Sequence, residues 1–200
     1  SEIEFAIRIG RQERIIAITG TNGKSTTTAL TEHILTQAGL SARIAGNIGT
    51  PLTGLPDRGR DSIIVLELSS YQLETTPSLR AEIRVILNIT PDHLDRHGGW
   101  GGYVKAKKTI LATASSDDIL ILGPGDVLDG FSSEKHELCK VIRLDEGSPI
   151  KRPDNPALQG QHNQQNSAAA RVICRQLGLT DNVIDKSIHS FSGLPHRLQP

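Results

Sequence analysis

Short runs of β-branched and aliphatic residues recur along the chain, and segments with helical spacing separate several of them. The run RIIAIT at residues 14–19 stops at Gly20 and is typical of a buried parallel strand. Five further runs are predicted strands, the last of them at an edge of the sheet: residues 41–46, 62–70, 82–90, 117–123 and 140–144. Strands that alternate with helices predict an α/β fold with a mostly parallel, doubly wound sheet flanked by helices. Such sheets bind ligands at the carboxyl ends of their strands.

Helical spacing follows the first predicted strand. Its apolar positions are Leu30, Ile34, Leu35 and Ala38, and Gly39 is the kind of residue that ends a helix. Three more helices are predicted, at residues 103–114, 163–177 and 181–189. The stretch at 147–156 is rich in Pro and Asp and is predicted to be a surface loop.

The composition excludes several classes of protein. The 200 residues fit one globular domain, and the 22 basic and 22 acidic residues cancel, so neither a nucleic-acid footprint nor a membrane-surface patch is predicted. No apolar stretch approaches the ~20 residues that a membrane-spanning helix needs. Cys139 and Cys174 lie far apart, which predicts neither a disulfide framework nor a zinc site. We therefore expect a cytoplasmic protein that binds no nucleic acid and is not inserted into a membrane.

The sequence GTNGKSTTT at residues 20–28 follows the first strand and opens the first predicted helix. Glycines let the backbone turn its amides toward a phosphate, and the helix N-terminus favours negative charge. Lys24 is then predicted to contact the β- and γ-phosphates, and the Ser25 hydroxyl to ligate magnesium. The general phosphate-loop motif has a glycine where this chain has Ile18, so the spacing alone does not satisfy it. The alternative is a glycine turn with an exposed lysine.

Two neighbouring predicted strands carry polar side chains at or just after their ends, a glutamate in one case and a histidine in the other. Glu67 lies within an apolar run, where an unpaired carboxylate would be costly to bury, so it is predicted to bind magnesium beside the phosphate loop. The alternative is an acid at an exposed strand end. The run PDHLDRH at 91–97 places His93 at the same predicted edge, although a surface histidine beside a helix-capping Asp92 is the alternative. The lysines of YVKAKKTIL, at residues 103–111, would ordinarily be interpreted as a solvated basic face of a helix.

Three sequences taken together resemble the Mur ligase family: GTNGKST at 20–26, ELSSYQLE at 67–74 and LNITPDHLDRH at 87–97. Two more, GQHNQQN at 160–166 and FSGLPHR at 191–197, are similar to the D-glutamate-adding branch of that family. The resemblance implies a P-loop-like mononucleotide-binding domain that uses ATP and magnesium. It also implies that the predicted domain occupies residues 1–195, with 196–200 beginning a linker to a C-terminal domain and the N-terminal UDP-binding domain missing.

The resemblance also assigns roles to individual residues. Nucleotide contacts fall to the loop and to four later residues, and the full set is Gly20, Thr21, Asn22, Gly23, Lys24, Ser25, Thr26, Asn163, Asn166, His196 and Arg197. Ser25 and Glu67 hold one magnesium ion. His93 and Lys107 hold a second, with Lys107 carbamylated so that it presents an anionic oxygen. The Gly-rich segment GGWGGY at 98–103 has one residue fewer than the family pattern, which leaves Lys108 as the alternative to Lys107.

On the substrate side, the resemblance assigns Asn47, Ser69 and Gln72 to the muramoyl-peptide acceptor. The residues alone leave each assignment open, because Asn47 could be a turn residue and Ser69 a strand-end hydroxyl. Asn163 could likewise be a helix cap.

The activity implied by the resemblance is ATP-dependent amide-bond formation. D-glutamate would be added to UDP-N-acetylmuramoyl-L-alanine through an acyl phosphate, with Lys24, His93 and Lys107 as catalytic residues, and we expect a monomer. Two alternatives are another amide ligase of the superfamily, such as folylpolyglutamate synthase, and a non-catalytic nucleotide-binding module. The second alternative needs only the phosphate loop.

Overall fold

A computed structural model describes residues 1–135, 139–144 and 155–194 of the chain. Six strands form a single sheet: β1 (Arg14–Thr19), β2 (Ser41–Gly46), β3 (Ser62–Glu67), β4 (Ile83–Ile86), β5 (Ile119–Leu122) and β6 (Lys140–Arg143). Eight helices accompany them in the described residues: α1 (Glu2–Arg8), α2 (Lys24–Gln37), α3 (Ser70–Glu74), α4 (Leu94–His97), α5 (Trp100–Lys108), α6 (Asp126–Lys135), α7 (Gln161–Gln176) and α8 (Asp181–Ser190).

The strand order is β2-β3-β1-β4-β5-β6, and every pairing in it is parallel. The predicted α/β class, the parallel sheet and the edge position of the last strand are therefore confirmed. From β1 the chain adds β2 and β3 on one side and then β4, β5 and β6 on the other. The reversal of direction beside β1 makes the carboxyl end of that strand the switch point, where doubly wound folds bind ligands.

Helices cover both faces of the sheet, because successive strand residues point to opposite sides. Ile16 and Ile18 of β1 pack with α2, α7 and α8 in one apolar core. Ile15 and Ala17 of the same strand pack in a second core, with α1, α3 and α6. Both faces are covered, which explains why the interior positions of β1 and β3 are apolar in sequence instead of alternating with polar residues.

Four strands are shorter than predicted: β3, β4, β5 and β6. The cause is clear for the first two. The run at 62–70 stops at Glu67, because Ser69 caps α3 through a hydrogen bond that its hydroxyl accepts from the Gln72 amide. The run at 82–90 contains a strand only at Ile83–Ile86, since Asn88 and Thr90 bond to the phosphate loop instead of a neighbouring strand.

The predicted helices all occur, with shifted ends. Gly39 follows α2, the first of the predicted helices, with a left-handed φ of 81°. The amide of Leu40 bonds to the Leu35 carbonyl, as in a glycine C-cap. The helix predicted at 103–114 begins earlier, at Trp100, and ends in a 3-10 turn at Thr109–Leu111. The sequence did not predict α1, α3, α4 or α6. The loop predicted at 147–156 lies outside the described residues except for its last two.

A buried arginine closes the amino edge of the sheet, opposite the switch point. Arg84 of β4 is 1% exposed, donates to the carbonyls of Ala81 and Ile110 at 2.6 and 2.9 Å, and pairs with Asp118 at 2.6 Å. All of these contacts are structural and lie away from the carboxyl edge. Among the described helices, none is long and apolar enough to cross a bilayer.

Candidate active site

The predicted phosphate loop connects β1 to α2 at the carboxyl edge. Gly23 adopts a left-handed φ of 85° at the N-cap of α2, and a Cβ there would overlap Oδ1 of Asn166. Only glycine satisfies both conditions. The loop therefore lies tightly against α7, with Lys24, Ser25 and Thr26 in the first turn of α2.

The segment after β4 fixes the loop backbone. The Thr21 amide donates to the Asn88 carbonyl at 3.0 Å, and the Asn22 amide donates to Asn88 Oδ1 at 2.8 Å. Asn88 Nδ2 returns a bond of 3.1 Å to the Asn22 carbonyl. These contacts pre-organise the loop, and the sequence did not single out Asn88.

Lys24 folds its side chain over the loop. Its Nζ donates to the carbonyls of Gly20 at 3.0 Å and Thr21 at 2.8 Å. The ammonium therefore lies at the mouth of the loop, where a bound phosphate would meet it, and not in open solvent as the alternative interpretation required.

Glu67 ends β3 and is 1% exposed. It is in register with Ile18 on β1, and its Oε1 accepts a hydrogen bond of 2.8 Å from Asn47 Nδ2. Its Oε2 is buried and has no hydrogen-bond partner in the described part of the chain. A buried carboxylate oxygen without a donor is costly, so this atom fits a cation ligand. The alternative of an exposed strand-end acid is wrong.

Lys107 of α5 reaches the same edge. Its side chain is 2% exposed, and Nζ donates to Thr19 Oγ1 at 3.0 Å and to the Gly20 carbonyl at 2.9 Å. Burial, and then the charge of Lys24, lower the pKa of Lys107 to about 7. Lys108 points elsewhere, with Nζ 5.4 Å from the Phe131 ring centroid. Lys107 is thus the lysine of this helix that faces the loop.

Tyr103 precedes Lys107 by one helical turn and touches the loop directly. Its hydroxyl lies 2.9 Å from Thr21 Oγ1, which also donates to the Thr90 carbonyl at 3.1 Å and accepts from the Thr90 amide at 3.0 Å. A threonine hydroxyl has one donor and two acceptor positions, so Tyr103 acts as the donor here. Burial raises the pKa of Tyr103. Nothing in the sequence predicted this bond.

The sequence analysis favoured His93 as a residue of the site, but its side chain is largely exposed in the structure. Its side chain is 49% exposed, its backbone has a left-handed φ of 50°, and Nε2 lies 3.5 Å from Asp92 Oδ2. No cluster of three His, Cys, Asp or Glu side chains in the described residues is arranged to hold a metal ion. A metal at this edge would therefore need ligands beyond these side chains, such as nucleotide oxygens or water.

His97, which the sequence analysis did not select, is the buried histidine of this segment. Its side chain is fully buried, with Nδ1 3.0 Å from Glu74 Oε1 and Nε2 3.0 Å from Ser70 Oγ. Its ring stacks on Tyr71 with centroids 5.3 Å apart.

A cleft of about 350 Å³ opens between the phosphate loop and α7. The predicted nucleotide contacts that line it are Asn22, Gly23, Thr26, Asn163 and Asn166, and the lining residues that sequence reasoning missed include Asn88, His162, Phe191 and Leu194. Asn166 Nδ2 donates to Asn163 Oδ1 at 3.2 Å, so the two asparagines form one polar wall. His196 and Arg197 lie outside the described residues.

The predicted substrate residues follow β2 and β3. Asn47 is held by Glu67 through both its side chain and its amide. Ser69 and Gln72 form a reciprocal capping box at the start of α3, so both already have a structural role.

These features define a class: an α/β nucleotide-binding domain with a phosphate loop at the switch point of a parallel sheet. The chain belongs to the Mur ligase middle domain family, which it matches over residues 18–152.

Two relatives carry the name UDP-N-acetylmuramoylalanine--D-glutamate ligase. The chain is 45% identical to the one from Zymomonas mobilis, over 98% of this chain and 44% of that protein. It is 41% identical to the one from Novosphingobium aromaticivorans, over 93% of this chain and 43% of that protein. The chain thus spans less than half the length of these relatives.

Two solved structures share the fold. MurF from Acinetobacter baumannii superposes with a TM-score of 0.79 at 22% identity, over 98% of this chain and 50% of that one. FolC from E. coli, in complex with DHPP and ADP, superposes with a TM-score of 0.73 at 20% identity, over 99% of this chain and 62% of that one. Identities this low bear on the fold alone.

Proposed function

We propose that the chain is the ATP-binding domain of a ligase that joins D-glutamate to UDP-N-acetylmuramoyl-L-alanine for peptidoglycan synthesis. The observation that carries the chemistry is the convergence of Glu67 and Lys107, both buried, on the phosphate loop. A module that only binds nucleotide has no need of this costly pair. The choice of acceptor rests on the names of the two relatives.

In the proposed reaction, the acceptor carboxylate attacks the γ-phosphorus of ATP, forming an acyl phosphate and releasing ADP. The D-glutamate amine then attacks the acyl carbon, forming the amide and releasing phosphate and a proton. Lys24, at the mouth of the loop, would stabilise negative charge on the transferred phosphoryl group. Bound magnesium would supply further charge neutralisation.

Ser25 and Glu67 are the proposed ligands of one magnesium ion. Ser25 lies in the first turn of α2, and Glu67 offers the buried Oε2 that has no donor among the described residues. His93 and Lys107 are the proposed ligands of a second ion. The exposed position of His93 means that its side chain would turn inward only when the nucleotide and the ion are bound.

Carbamylation of Lys107 is part of the proposal. With a pKa of about 7, much of this amine is neutral near pH 7, and a neutral amine can attack carbon dioxide. The nitrogen forms a bond to carbon and releases a proton, which leaves an anionic carbamate. The product replaces a cation that would repel magnesium by an oxygen ligand.

The cleft beside the loop is the proposed nucleoside site. Asn163 and Asn166 would face the adenine, and His196 and Arg197 would approach the same nucleotide. Asn47, Ser69 and Gln72 would contact the acceptor at the opposite side of Glu67. The last two keep their capping bonds in that role, because only part of each side chain is used by the cap.

The matched relatives are more than twice as long as the chain, so we propose that this domain works beside an N-terminal domain for the UDP group and a C-terminal domain for D-glutamate. A monomer acting in the cytoplasm fits this function, since ATP and nucleotide-activated precursors are found there.

The test is phosphate release by the full-length protein with ATP, magnesium and both organic substrates, each omitted in turn. We expect release only when all are present, and its loss in Lys24→Ala. Release that ignores D-glutamate or the muramoyl acceptor would overturn the acceptor assignment. Consumption of a folate acceptor would favour a folylpolyglutamate synthase activity instead.

A second experiment separates a ligase from a bare binding module. Magnesium-dependent ATP binding is compared in wild type, Glu67→Ala and Glu82→Ala, the last being an exposed acid at the amino edge of the sheet. The ligase site predicts that only Glu67→Ala loses the magnesium dependence. Equal behaviour of the two variants would mean that Glu67 holds no ion.

A further inference from the structure

His97 joins two elements of the site by hydrogen bonds at both of its ring nitrogens. Nδ1 meets Glu74 at the end of α3, and Nε2 meets Ser70 at its start, each at 3.0 Å. The side chain is fully buried, and the ring packs against Tyr71 and Tyr103 with centroids 5.3 and 5.5 Å away. Such a histidine has one fixed orientation.

A serine, a histidine and a carboxylate in this order resemble the nucleophile, base and orienting acid of a hydrolase. Ser70 is only 2% exposed, however, and its Oγ lies 3.0 Å from His97 Nε2. An acyl donor has no access to its hydroxyl. The geometry therefore orients His97 and does not activate Ser70.

The two elements that His97 joins carry different candidate functions. α3 begins with the Ser69 and Gln72 capping box on the proposed acceptor side. α4 is only four residues long, and His93 is its N-cap, whose carbonyl accepts the His97 amide at 3.3 Å. A helix this short has little stability of its own. The two His97 hydrogen bonds, together with the contacts of the His93 ring and the Arg96 guanidinium with Tyr71, hold it against α3.

The glycine-rich segment after His97 makes this packing possible. Gly98 and Gly99 have left-handed φ values of 68° and 104°, which turn the chain sharply into α5. A Cβ on Gly102 would overlap the His97 carbonyl oxygen. The unusual GGWGGY sequence thus lets α5, with Tyr103 and Lys107, lie directly on the end of α4.

We infer that His97 is a positioning residue that fixes the segment bearing His93 relative to the acceptor side of the site. The inference rests on the proposed function. Loss of its two hydrogen bonds should impair use of the muramoyl acceptor without weakening the phosphate loop, because Asn88 and Thr90 hold the loop independently of His97. A ring at position 97 also keeps its packing against Tyr103, the third residue bonded to the loop.

The experiment uses the full-length protein with His97→Phe, which keeps a ring and removes both hydrogen bonds. We expect kcat/KM for the muramoyl acceptor to fall roughly 10- to 100-fold, as when a supporting partner of a ligand is lost, with ADP affinity within about twofold of wild type. His97→Gln, which can keep one bond, should recover part of the loss. His33→Phe is the matched control, since it breaks a histidine–serine bond on α2 far along the chain from α4.

The decisive readout is whether the effects of the Ser70 and His97 substitutions on kcat/KM add. Ser70→Ala should lower kcat/KM in the wild-type background and have no further effect in His97→Phe. Unchanged kinetics in a folded His97→Phe protein would overturn the inference, as would a parallel loss of ADP affinity and melting temperature. Failure of wild type itself to use the acceptor would instead reject the proposed function.

Discussion

Thr31 lies on the buried face of α2, and its hydroxyl has no hydrogen-bond partner in the described residues. Burying an unpaired hydroxyl is unfavourable, and valine has nearly the same shape without that group. We expect Thr31→Val to raise the free energy of unfolding by about 1 kcal/mol in urea denaturation. Thr36→Val, at an exposed position of the same helix, should change it by less than about 0.5 kcal/mol. Destabilisation by Thr31→Val would show that the hydroxyl is satisfied.

Lys107 makes stability depend on pH in a direction that can be worked out. Its pKa is lowered from 10.5 to about 7 in the folded state, so between these values the unfolded chain binds more protons. The free energy of unfolding therefore rises with pH in that window, by up to roughly 1.4 kcal/mol per pH unit. Below about pH 7 the slope disappears.

The measurement is the difference in unfolding free energy between wild type and Lys107→Met across this window, in buffer free of carbon dioxide. The difference should become more favourable to wild type as the pH rises. Lys105→Met, which removes an exposed lysine of the same helix, is the control substitution. A difference between wild type and Lys107→Met that does not change with pH would mean that the buried lysine stays charged.

At the scale of elements, the turn into α2 and the turn out of it provide a matched pair of glycines. Gly23 and Gly39 both have left-handed φ values, but a Cβ would overlap Asn166 only at Gly23, and nothing lies within 4 Å at Gly39. Gly39→Ala should cost only the left-handed backbone penalty of roughly 1–2 kcal/mol, with nucleotide affinity unchanged.

Gly23→Ala should cost more stability than Gly39→Ala and should also weaken nucleotide binding, because the phosphate loop must move away from α7. Calorimetric unfolding and ADP titration of both variants check this. Equal effects of the two substitutions on ADP affinity would contradict the close approach of the loop to Asn166.

What the sequence predicts well are features set by neighbours along the chain. β1, the phosphate loop and Gly39 follow from local composition, and Glu67 stands out as an acid in an apolar run. The S-x-x-Q spacing of Ser69 and Gln72 is a capping-box signal that would have ended β3 correctly. The helix α3 was missed because the run was interpreted as one strand.

Contacts between distant segments carried no such signal. Tyr103 is 82 residues from its partner Thr21, and His97 is 23 residues from Glu74. Choosing His97 over His93 as the buried histidine requires knowing how α4 packs on α3. Periodicity cannot supply that in a helix of four residues.

At the scale of the whole molecule, the two edges of the sheet have separate tasks. The candidate site occupies the carboxyl edge, whereas Arg84 serves only to hold the amino edge together. We expect Arg84→Met to lower the free energy of unfolding by roughly 3 kcal/mol, because it leaves buried carbonyls and Asp118 without their donor. Nucleotide affinity should not change.

Arg14→Met is the control for that substitution. Arg14 pairs with Glu82 at the same edge, but both side chains are about 40% exposed, so the loss should be below about 1 kcal/mol. Urea denaturation and ADP titration of both variants provide the measurement. A weakened affinity for ADP in Arg84→Met would mean that the two edges are coupled.

The strand order also bears on how the chain is made. β1 lies between β3 and β4 in the sheet. The half of the sheet formed by β1, β2 and β3 lies within residues 14–67, and the half formed by β4, β5 and β6 is synthesised later. Each pairing of β1 closes a long loop, as when Ile16 meets Ile83, and such closures slow folding. On the ribosome, β1 can pair first with β3. The opposite edge of β1 would then stay unpaired until β4 emerges. That interval is when this domain is most open to aggregation and to chaperones.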